Sequence, residues 1–438
     1  RVMEECLAIK PDLIFLWDEA WFGFARFSPF HRLRTGMAAA AALTERYQSE
    51  AYREKYRAHR AQLGELDPAD PRLLDQHLLP DPDQVRIRVY ACQSTHKSMS
   101  ALRQGSMMLV HDQDFELVHA AFEEAYFTHT STSPNLQIIA SLDVARRQME
   151  LEGYGLVTRA TDLALRIRRH VNTNPLISKY FHVLTPAEMV PAEHRESGIE
   201  DYGPPHGNWQ QMFDAWTRDE FALDPTRITL VCGKAGYDGT AFKGLLADRY
   251  DIQINKTSRN SILLQTNINN TRSDVAHIVK VLADIARKID EELRRGGEPA
   301  RKAFAARVKS LMEDVPELPN FSQFQASFRD DPKSATSEGH MREAFYASYR
   351  AENCEYLPVN SAEMDKRLKK GPEVVAADFV IPYPPGFPIM VPGQVVTADT
   401  IEFMRKLDVK EIHGYNASLG LRILRLDALP ARKRRQGH

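Results

Sequence analysis

Two apolar segments of this chain end abruptly in polar residues, and this pattern constrains the fold more than any other feature of the sequence. Residues 13–17 read Leu-Ile-Phe-Leu-Trp and are followed by Asp18 and Glu19. A continuous apolar run of this length is typical of a strand buried on both faces, as in a parallel sheet covered by helices. A second strand is predicted over 85–90, where Val, Ile and Val alternate with Arg, Arg and Tyr, and it leads into the polar residues 94–97.

Helical patterns lie between and after these strands. Helices are predicted over 37–63, 115–127 and 137–151, with a further short strand over 107–110. The alternation of strands and helices predicts an α/β architecture. The stretch around 37–83 is predicted to be helical at first and then, where Asp-Pro pairs break it, a loop.

The later sequence has a different organisation. Between about 150 and 295 it combines predicted helices with strands, and a glycine- and proline-containing turn near 296–299 precedes the last segment. We therefore predict three domains, covering 1–148, 149–295 and 296–438. The predicted elements of the middle domain are strands at 228–232, 252–255 and 262–266 and helices at 240–249 and 273–295.

Composition excludes several classes of protein. The 57 Lys and Arg residues nearly balance the 59 Asp and Glu residues, which gives no argument for nucleic acid or an anionic membrane as a partner. No apolar run approaches the ~20 residues that a membrane helix needs. The four cysteines are far apart and form no CxxC pair, so we expect a reduced, cytoplasmic protein without a zinc site, and the histidines show no metal-binding spacing either.

Three local sequences carry candidate chemistry: Asp-Glu-Ala-Trp at 18–21, Ser-Thr-His-Lys at 94–97 and His-Thr-Ser-Thr-Ser-Pro at 129–134. Each one alone has an ordinary interpretation. A lysine after a strand is usually solvated, an aspartate at a strand end is usually a turn or a cap, and hydroxyl residues before a proline usually start a helix.

Together and in this order, the three segments resemble the fold-type I pyridoxal-phosphate enzymes, and most closely the bacterial ornithine/lysine/arginine decarboxylase family. Ser-Thr-His-Lys is similar to the family's cofactor-lysine motif, and the other two segments are similar to its flanking motifs. Further similar segments are Asp-Pro at 224–225, Ile-Pro-Tyr-Pro-Pro-Gly at 381–386 and Pro-Gly at 392–393. The resemblance implies an aspartate-aminotransferase-like large domain, incomplete at its N-terminus, followed by a smaller α+β domain and a C-terminal α+β domain.

The resemblance also implies roles for five residues. Lys97 would supply the primary amine that binds pyridoxal phosphate, and Asp18 would keep the pyridine nitrogen protonated. Trp21 would lie beside the cofactor, with ordinary core packing as the alternative, and Ser94 would offer its hydroxyl to the phosphate. His96 would position the substrate adduct or move a proton, and a purely structural role for it is an equal alternative.

Ser131 occupies the position from which the family reaches the phosphate of the neighbouring subunit. The resemblance therefore implies a homodimer, or a higher oligomer, with the active site at the subunit interface. The implied reaction converts arginine, lysine or ornithine into the corresponding amine and CO₂. The alternatives are another reaction of the same cofactor, such as aminotransfer or aldol cleavage, and a catalytically silent relative with a regulatory or assembly role; the presence of both Lys97 and Asp18 argues against silence.

Several features depart from the family pattern. The connection from Asp18 to Lys97 is longer than in the family because of the stretch around 37–83, which implies a helical surface insertion, with a regulatory or oligomerisation role as the alternative. The family's phosphate loop and ring-stacking histidine have no counterpart in these 438 residues, and the glycines at 233–239 lack Walker spacing, which predicts a turn between a strand and a helix. Asn255, Lys256 and Arg259 lie where relatives place an acidic residue for the substrate's distal cation, and Gln394 replaces a glutamate. These differences leave the substrate open, and the basic run at 432–435 is predicted to be a solvated tail.

Overall fold

A computed structural model describes residues 1–64, 70, 76–203, 208–254, 256–314, 317–320, 322–331, 333, 338–383, 386–407 and 411–429. The chain divides into two compact units. The first unit comprises Arg1–Ser178, Val183–Ile228 and Leu264–Leu282, and the second comprises Lys179–His182, Thr229–Leu263 and Ala283–His438. Both contain strands and helices, in agreement with the predicted α/β class.

The first unit contains a three-stranded sheet that brings the two predicted strand ends together. Strands β1 (Ile14–Asp18) and β2 (Arg88–Ser94) are parallel, with Asp18 opposite Cys92, and β3 (Ser106–Asp112) is antiparallel to β2. Because parallel strands run in one direction, β1 and β2 end at the same edge of the sheet. Residues 18–21 and 94–97 therefore leave the sheet side by side.

The helices of the first unit are α1 (Val2–Ile9), α2 (Gly36–Gln48), α3 (Glu50–Leu63), α4 (Thr95–Ser98), α5 (Phe115–His129), α6 (Leu136–Thr173), α7 (Pro186–Met189) and α8 (Trp209–Arg218). Helices α1 and α2 pack on one face of the sheet, where Leu7 and Leu43 share a core with Ile87 and Val89. Helix α2 is thus part of a hydrophobic core, although its segment was expected to be a surface insertion. Helix α3 buries the ring of Tyr52 and half-buries that of Tyr56, and most of its other residues are exposed.

The prediction that β1 is buried on both faces is wrong. Ile14 is 51% exposed and Leu16 is 68% exposed, whereas the alternate residues Phe15 and Trp17 pack against the core. The physical reason is that β1 is the edge strand of this sheet, and in the described residues only one of its faces is covered.

Helix α6 is much longer than the predicted 137–151. It runs for 38 residues and continues to bury one face through Val157 and Leu163. Gly153 does not end the helix because it is a packing position: a Cβ there would lie 2.8 Å from a ring atom of Phe27. The glycine therefore allows the helix backbone to approach that ring closely.

A four-stranded sheet has the order β4-β5-β7-β6. Its strands are β4 (His182–Val183), β5 (Arg227–Val231), β6 (Lys256–Thr257) and β7 (Ser261–Gln265), and the neighbouring helices are α9 (Gly239–Tyr250), α10 (Arg272–Arg295) and α11 (Gly297–Met312). The predicted strand at 252–255 is not formed over 252–254, and Asn255 lies outside the described residues. The predicted turn at 233–239 is confirmed, with Gly236 at φ +78° and Asp238 capping α9.

The rest of the second unit contains small sheets and short helices. Strand β13 pairs with β8, β9 and β12, and β10 pairs with β11. These elements are α12 (Met341–Ser348), β8 (Cys354–Leu357), α13 (Ala362–Lys370), β9 (Val375–Ala376), β10 (Ile381–Tyr383), α14 (Ala398–Lys406), β11 (Glu411–His413), β12 (Tyr415–Asn416) and β13 (Gly420–Leu424). The three-domain division at 148 and 295 stays a prediction. Across the described ranges, no helix is long and apolar enough to cross a membrane.

Candidate active site

The loop after β1 is held against the end of β2 by backbone hydrogen bonds. The Glu19 amide donates to the Cys92 carbonyl at 3.0 Å, and the Ser94 amide donates to the Ala20 carbonyl at 3.2 Å. An Asp18 side-chain oxygen accepts from the Ala20 amide at 3.0 Å, which forms an Asx turn. The carboxylate at the end of β1 is therefore fixed next to the start of α4, on the exposed face of the strand.

The short helix α4 is fixed to the loop that precedes β3. Thr95 Oγ1 donates to the Gly105 carbonyl at 3.2 Å, and His96 Nδ1 lies 3.1 Å from the same oxygen. Since a carbonyl oxygen only accepts, Nδ1 carries a proton, and in the neutral form of the ring Nε2 then has the lone pair. Ser94 is buried at the N-cap of α4, and His96 and Lys97 are half-buried.

Lys97 and Trp21 are brought into contact although 76 positions separate them in the sequence. Lys97 Nζ lies 5.5 Å from the centroid of the Trp21 ring, within the range of a cation–π interaction. The Lys97 carbonyl accepts a 3.2 Å hydrogen bond from Gln265 Nε2, so the backbone of α4 is also held from β7. Asp18, Trp21, Ser94, His96 and Lys97 thus share one edge of the sheet.

Arg227, at the start of β5, is a member of this cluster that the sequence analysis did not identify. Its guanidinium carbon lies 4.5 Å from the centroid of the Trp21 ring, and its Nη2 donates to the Trp21 carbonyl at 2.6 Å. Burial lowers the pKa of Arg227, and its Nε lies 3.7 Å from a carboxylate oxygen of Asp224. The sequence offered one signal for Arg227. It is the first residue of the strand that follows the Asp-Pro segment at 224–225, and a cation is unusual at the start of a buried strand.

Arg168, on α6, fixes the backbone of this strand start. Its guanidinium donates to the carbonyls of Leu184 at 3.0 Å and Arg227 at 2.6 Å, and more weakly to that of Pro225 at 3.4 Å. Only 4% of Arg168 is exposed, so these hydrogen bonds satisfy backbone oxygens that water does not reach easily. Helix α6 therefore fixes the backbone position from which the Arg227 side chain extends.

Glu19 was also not identified from the sequence. Its buried carboxylate accepts from the Gly36 amide at 2.5 Å and from Gln93 Nε2 at 2.8 Å. Gly36 is the first residue of α2, so a carboxylate at the positive end of a helix joins β1, β2 and α2. This arrangement holds the strand ends rigidly beneath the cluster.

The structure does not bring Ser131 into this cluster. Ser131 is exposed in the turn between α5 and α6, where its hydroxyl donates to the Ser133 carbonyl at 3.2 Å and accepts from the Ser133 amide at 3.1 Å. Its expected role involves the site of a second subunit, and this stays a prediction.

The positions that depart from the family pattern are engaged in local structure. Arg259 donates to the carbonyls of Ser310 at 3.1 Å and Lys406 at 3.2 Å, at the ends of α11 and α14. Gln394 is buried, donates to the Ser322 carbonyl at 3.1 Å and accepts from the Val391 amide at 3.0 Å. These contacts give Arg259 and Gln394 structural roles. Neither contact indicates which substrate the protein binds.

Comparison with known proteins finds one family model that matches the part of the chain containing this cluster. The family model described as Orn/Lys/Arg decarboxylase, major domain, matches residues 75–274, a range that includes Lys97 and Arg227. Residues 75–274 of the chain are therefore similar to the major domain of this family. Lysine decarboxylase LdcA of Pseudomonas aeruginosa is 27% identical over 425 residues, covering 90% of this chain and 49% of that protein. An arginine decarboxylase of Bacillus anthracis is 25% identical over 316 residues, covering 72% of this chain and 49% of that protein.

The fold is similar to that of solved lysine decarboxylases. The Escherichia coli constitutive lysine decarboxylase aligns with a TM-score of 0.58 at 19% identity, over 95% of this chain and 54% of that one. Lysine decarboxylase A of Pseudomonas aeruginosa aligns with a TM-score of 0.55 at 20% identity. At these identities the likeness establishes the fold alone. The chain spans about half the length of the curated relatives it matches.

Proposed function

We propose that this protein is a pyridoxal-phosphate-dependent decarboxylase that converts a basic amino acid into the corresponding amine and CO₂. The observation that carries the proposal is the contact of Lys97 with Trp21 at the shared end of two parallel strands, beside Asp18. The family match over residues 75–274 and the similarity to lysine and arginine decarboxylases support the same conclusion. On this proposal residues 1–148 form part of a fold-type I large domain, and arginine, lysine and ornithine are the candidate substrates.

The residues at this edge fit the chemistry of the cofactor. Pyridoxal phosphate needs an amine for its aldehyde, a carboxylate for its ring nitrogen and donors for its phosphate, and Lys97, Asp18 and Ser94 are of these three types. Arg227 adds a guanidinium whose Nη1 is buried with no hydrogen-bond partner among the described residues. An orphaned cationic donor over the same ring that Lys97 contacts is the feature expected of a site for an anionic ligand.

The chain's own residues would orient the ligand and control protons. When bound, pyridoxal phosphate accepts the electrons of the bond that breaks at the amino acid's Cα. Asp18 would hold a proton at the pyridine nitrogen, and Trp21 would flank the ring and exclude water. His96 donates from Nδ1 to the Gly105 carbonyl, so Nε2 is the ring nitrogen that would accept or hold a proton next to Lys97 in the sequence.

The proposal also includes a homodimer in which Ser131 reaches the neighbouring site. It is supported by α5, the helix that leads to Ser131, because none of its residues is buried and Leu117 and Phe127 are 84% and 61% exposed. Apolar side chains on one exposed helix favour association with a second copy. Higher oligomers are compatible with the same contact.

The test uses purified protein loaded with pyridoxal phosphate. Wild-type protein is expected to show the visible absorbance of the cofactor condensed with an amine and to release CO₂ from at least one of arginine, lysine and ornithine. Lys97→Ala should remove both signals, whereas Lys10→Ala, an exposed lysine paired with Asp12 in the same unit, should keep them. Condensation in the wild type without CO₂ from any basic amino acid would refute decarboxylation.

A further inference from the structure

Two cationic side chains approach the same indole ring. The Arg227 guanidinium carbon lies 4.5 Å and the Lys97 Nζ lies 5.5 Å from the Trp21 ring centroid. The two charges are therefore no more than about 10 Å apart, which is about one Debye length at 0.1 M ionic strength, so solvent ions do not fully screen their repulsion.

The local carboxylate does not fully compensate these charges. Asp224 lies 3.7 Å from Arg227 Nε, but one of its oxygens already accepts from the Thr226 amide at 2.9 Å and from the Thr226 hydroxyl at 2.6 Å. Only 17% of the Arg227 side chain is exposed, so water offers little compensation. A single, partly committed carboxylate therefore lies beside the Arg227 guanidinium.

The three guanidinium nitrogens of Arg227 differ in whether they have a partner. Nη2 donates to the Trp21 carbonyl and Nε faces Asp224, whereas Nη1 has no partner among the described residues although it is buried. Leaving a charged donor unpaired in a buried position is costly unless a ligand supplies the acceptor. The guanidinium is held by Trp21 and by the backbone contact of Arg168, so its free donor has a defined position before any ligand arrives.

We propose that Arg227 forms an oxyanion-binding subsite beside Lys97 and donates to an anionic oxygen of the ligand. This inference rests on the proposed function, because that function makes the ligand a phosphate-bearing cofactor and a carboxylate-bearing amino acid. A guanidinium binds the oxygens of both groups through charge-assisted hydrogen bonds. The phosphate and the α-carboxylate both offer anionic oxygens as acceptors, but binding of one or the other has different consequences for the reaction.

The source of the oxyanion bears on the reaction. If Arg227 binds the phosphate, it anchors a group that the reaction does not change, which is compatible with loss of CO₂. If Arg227 binds the α-carboxylate, it stabilises the charge that decarboxylation removes, and therefore favours the ground state over the transition state. Binding of that carboxylate would favour aminotransfer over decarboxylation.

The experiment measures dissociation constants for paired ligands that differ by one anionic group. Pyridoxal phosphate and pyridoxal are titrated into wild type, Arg227→Gln and Arg227→Lys, with visible absorbance as the signal. Lysine and cadaverine are then titrated into the loaded proteins. The control is Arg218→Gln, an arginine of the same unit that is exposed and paired with Glu196 at 2.9 Å.

For Arg227→Gln we expect an affinity loss of about 10- to 100-fold for one member of a pair only, which corresponds to a lost hydrogen bond to a charged group. A loss for pyridoxal phosphate but not pyridoxal identifies the phosphate, and a loss for lysine but not cadaverine identifies the carboxylate. Arg227→Lys should recover part of the affinity because it keeps the charge. Changes below about two-fold for all four ligands, or equal losses within both pairs, would overturn the proposal.

A second readout separates this inference from the proposed function. Inorganic phosphate and acetate are titrated while tryptophan fluorescence is followed, with Trp21→Phe as the blank for the indole beside Arg227. Saturable binding of either anion by wild type and its loss in Arg227→Gln supports the subsite even if Lys97 never condenses with pyridoxal phosphate. Binding of neither anion by the wild type, together with unchanged affinities in Arg227→Gln, would refute it.

Discussion

Arg227 donates a 2.6 Å hydrogen bond to the backbone carbonyl of Trp21, which lies 206 positions earlier in the chain, and also covers the indole of that residue. The contact joins the start of β5 to the loop after β1. Because Lys97 approaches the same ring, the position of the candidate cofactor lysine depends on a strand from a distant part of the sequence.

Loss of Arg168 should destabilise the protein. Arg168→Gln would leave the carbonyls of Leu184 and Arg227 without their buried donors, and we expect the free energy of unfolding to fall by roughly 2–4 kcal/mol. Urea unfolding followed by circular dichroism measures this change. Arg166→Gln removes only an exposed bridge to Asp162 and should cost less than ~1 kcal/mol, so equal effects of the two variants would contradict the assigned role.

Two glycines in helices should respond to alanine in opposite directions. In Gly36→Ala the new Cβ would lie 2.7 Å from a ring atom of Trp17, and we expect destabilisation by about 1–3 kcal/mol. In Gly155→Ala the Cβ meets nothing within 4 Å on α6, so a gain of about 0.5–1 kcal/mol is expected from helix propensity. Thermal unfolding of both variants checks the signs, and a stabilised Gly36→Ala variant would show that α2 does not need this close approach.

His31 should make the protein less stable in acid. It is fully buried among the rings of Phe22, Phe24, Phe30 and Trp216, and both ring nitrogens lack hydrogen-bond partners among the described residues. Burial lowers the pKa of His31 from 6.5 to about 3. Between these values the unfolded chain binds a proton that the folded chain does not, so stability contributed by the neutral ring falls as pH falls.

Because of this linkage, the free energy of unfolding should be about 2 kcal/mol lower at pH 5 than at pH 8, where the ring is neutral in both the folded and the unfolded state. His31→Leu removes the titrating group and should flatten the pH dependence of the unfolding free energy by about that amount. The guanidinium of Arg34, 5.8 Å from the Trp216 ring, keeps its charge over this range and adds no titration. An unchanged slope between pH 8 and pH 5 in the variant would show that His31 is not the group responsible.

The proposed sharing of Ser131 between subunits predicts complementation. Lys97→Ala and Ser131→Ala should each be strongly impaired, because one lacks the amine and the other lacks a phosphate donor. In a mixture refolded at equal amounts, half of the dimers are mixed and each contains one complete site, so about a quarter of wild-type CO₂ release should return. Recovery no greater than the sum of the separate variants would place Ser131 outside the neighbour's site.

The sequence predicted the part of the cluster that depends on local pattern. Asp18 and Lys97 each follow an apolar strand, and parallel pairing alone brings such ends to one edge. The exposure of β1 could not be predicted, because a continuous apolar run does not reveal whether its strand lies at the edge of a sheet. Arg227 was missed for a similar reason: its contacts with Trp21 depend on tertiary packing that no local spacing records.

The full length of α6 also depends on a distant contact. Gly153 and Gly155, shortly after Leu151, favour an end to the helix near the predicted position 151. The close packing of Gly153 on Phe27 and the buried face that continues through Leu163 override this local preference.

The central claim, that Lys97 is the amine that binds pyridoxal phosphate, is tested most directly by borohydride reduction of the loaded protein followed by peptide mass spectrometry. Reduction converts the condensed cofactor into a stable secondary amine, and trypsin does not cleave after a modified lysine. The account predicts a pyridoxyl group on Lys97 within an uncleaved peptide covering 89–103. A pyridoxyl group on another lysine, or an unmodified peptide that is cleaved after Lys97, would contradict it.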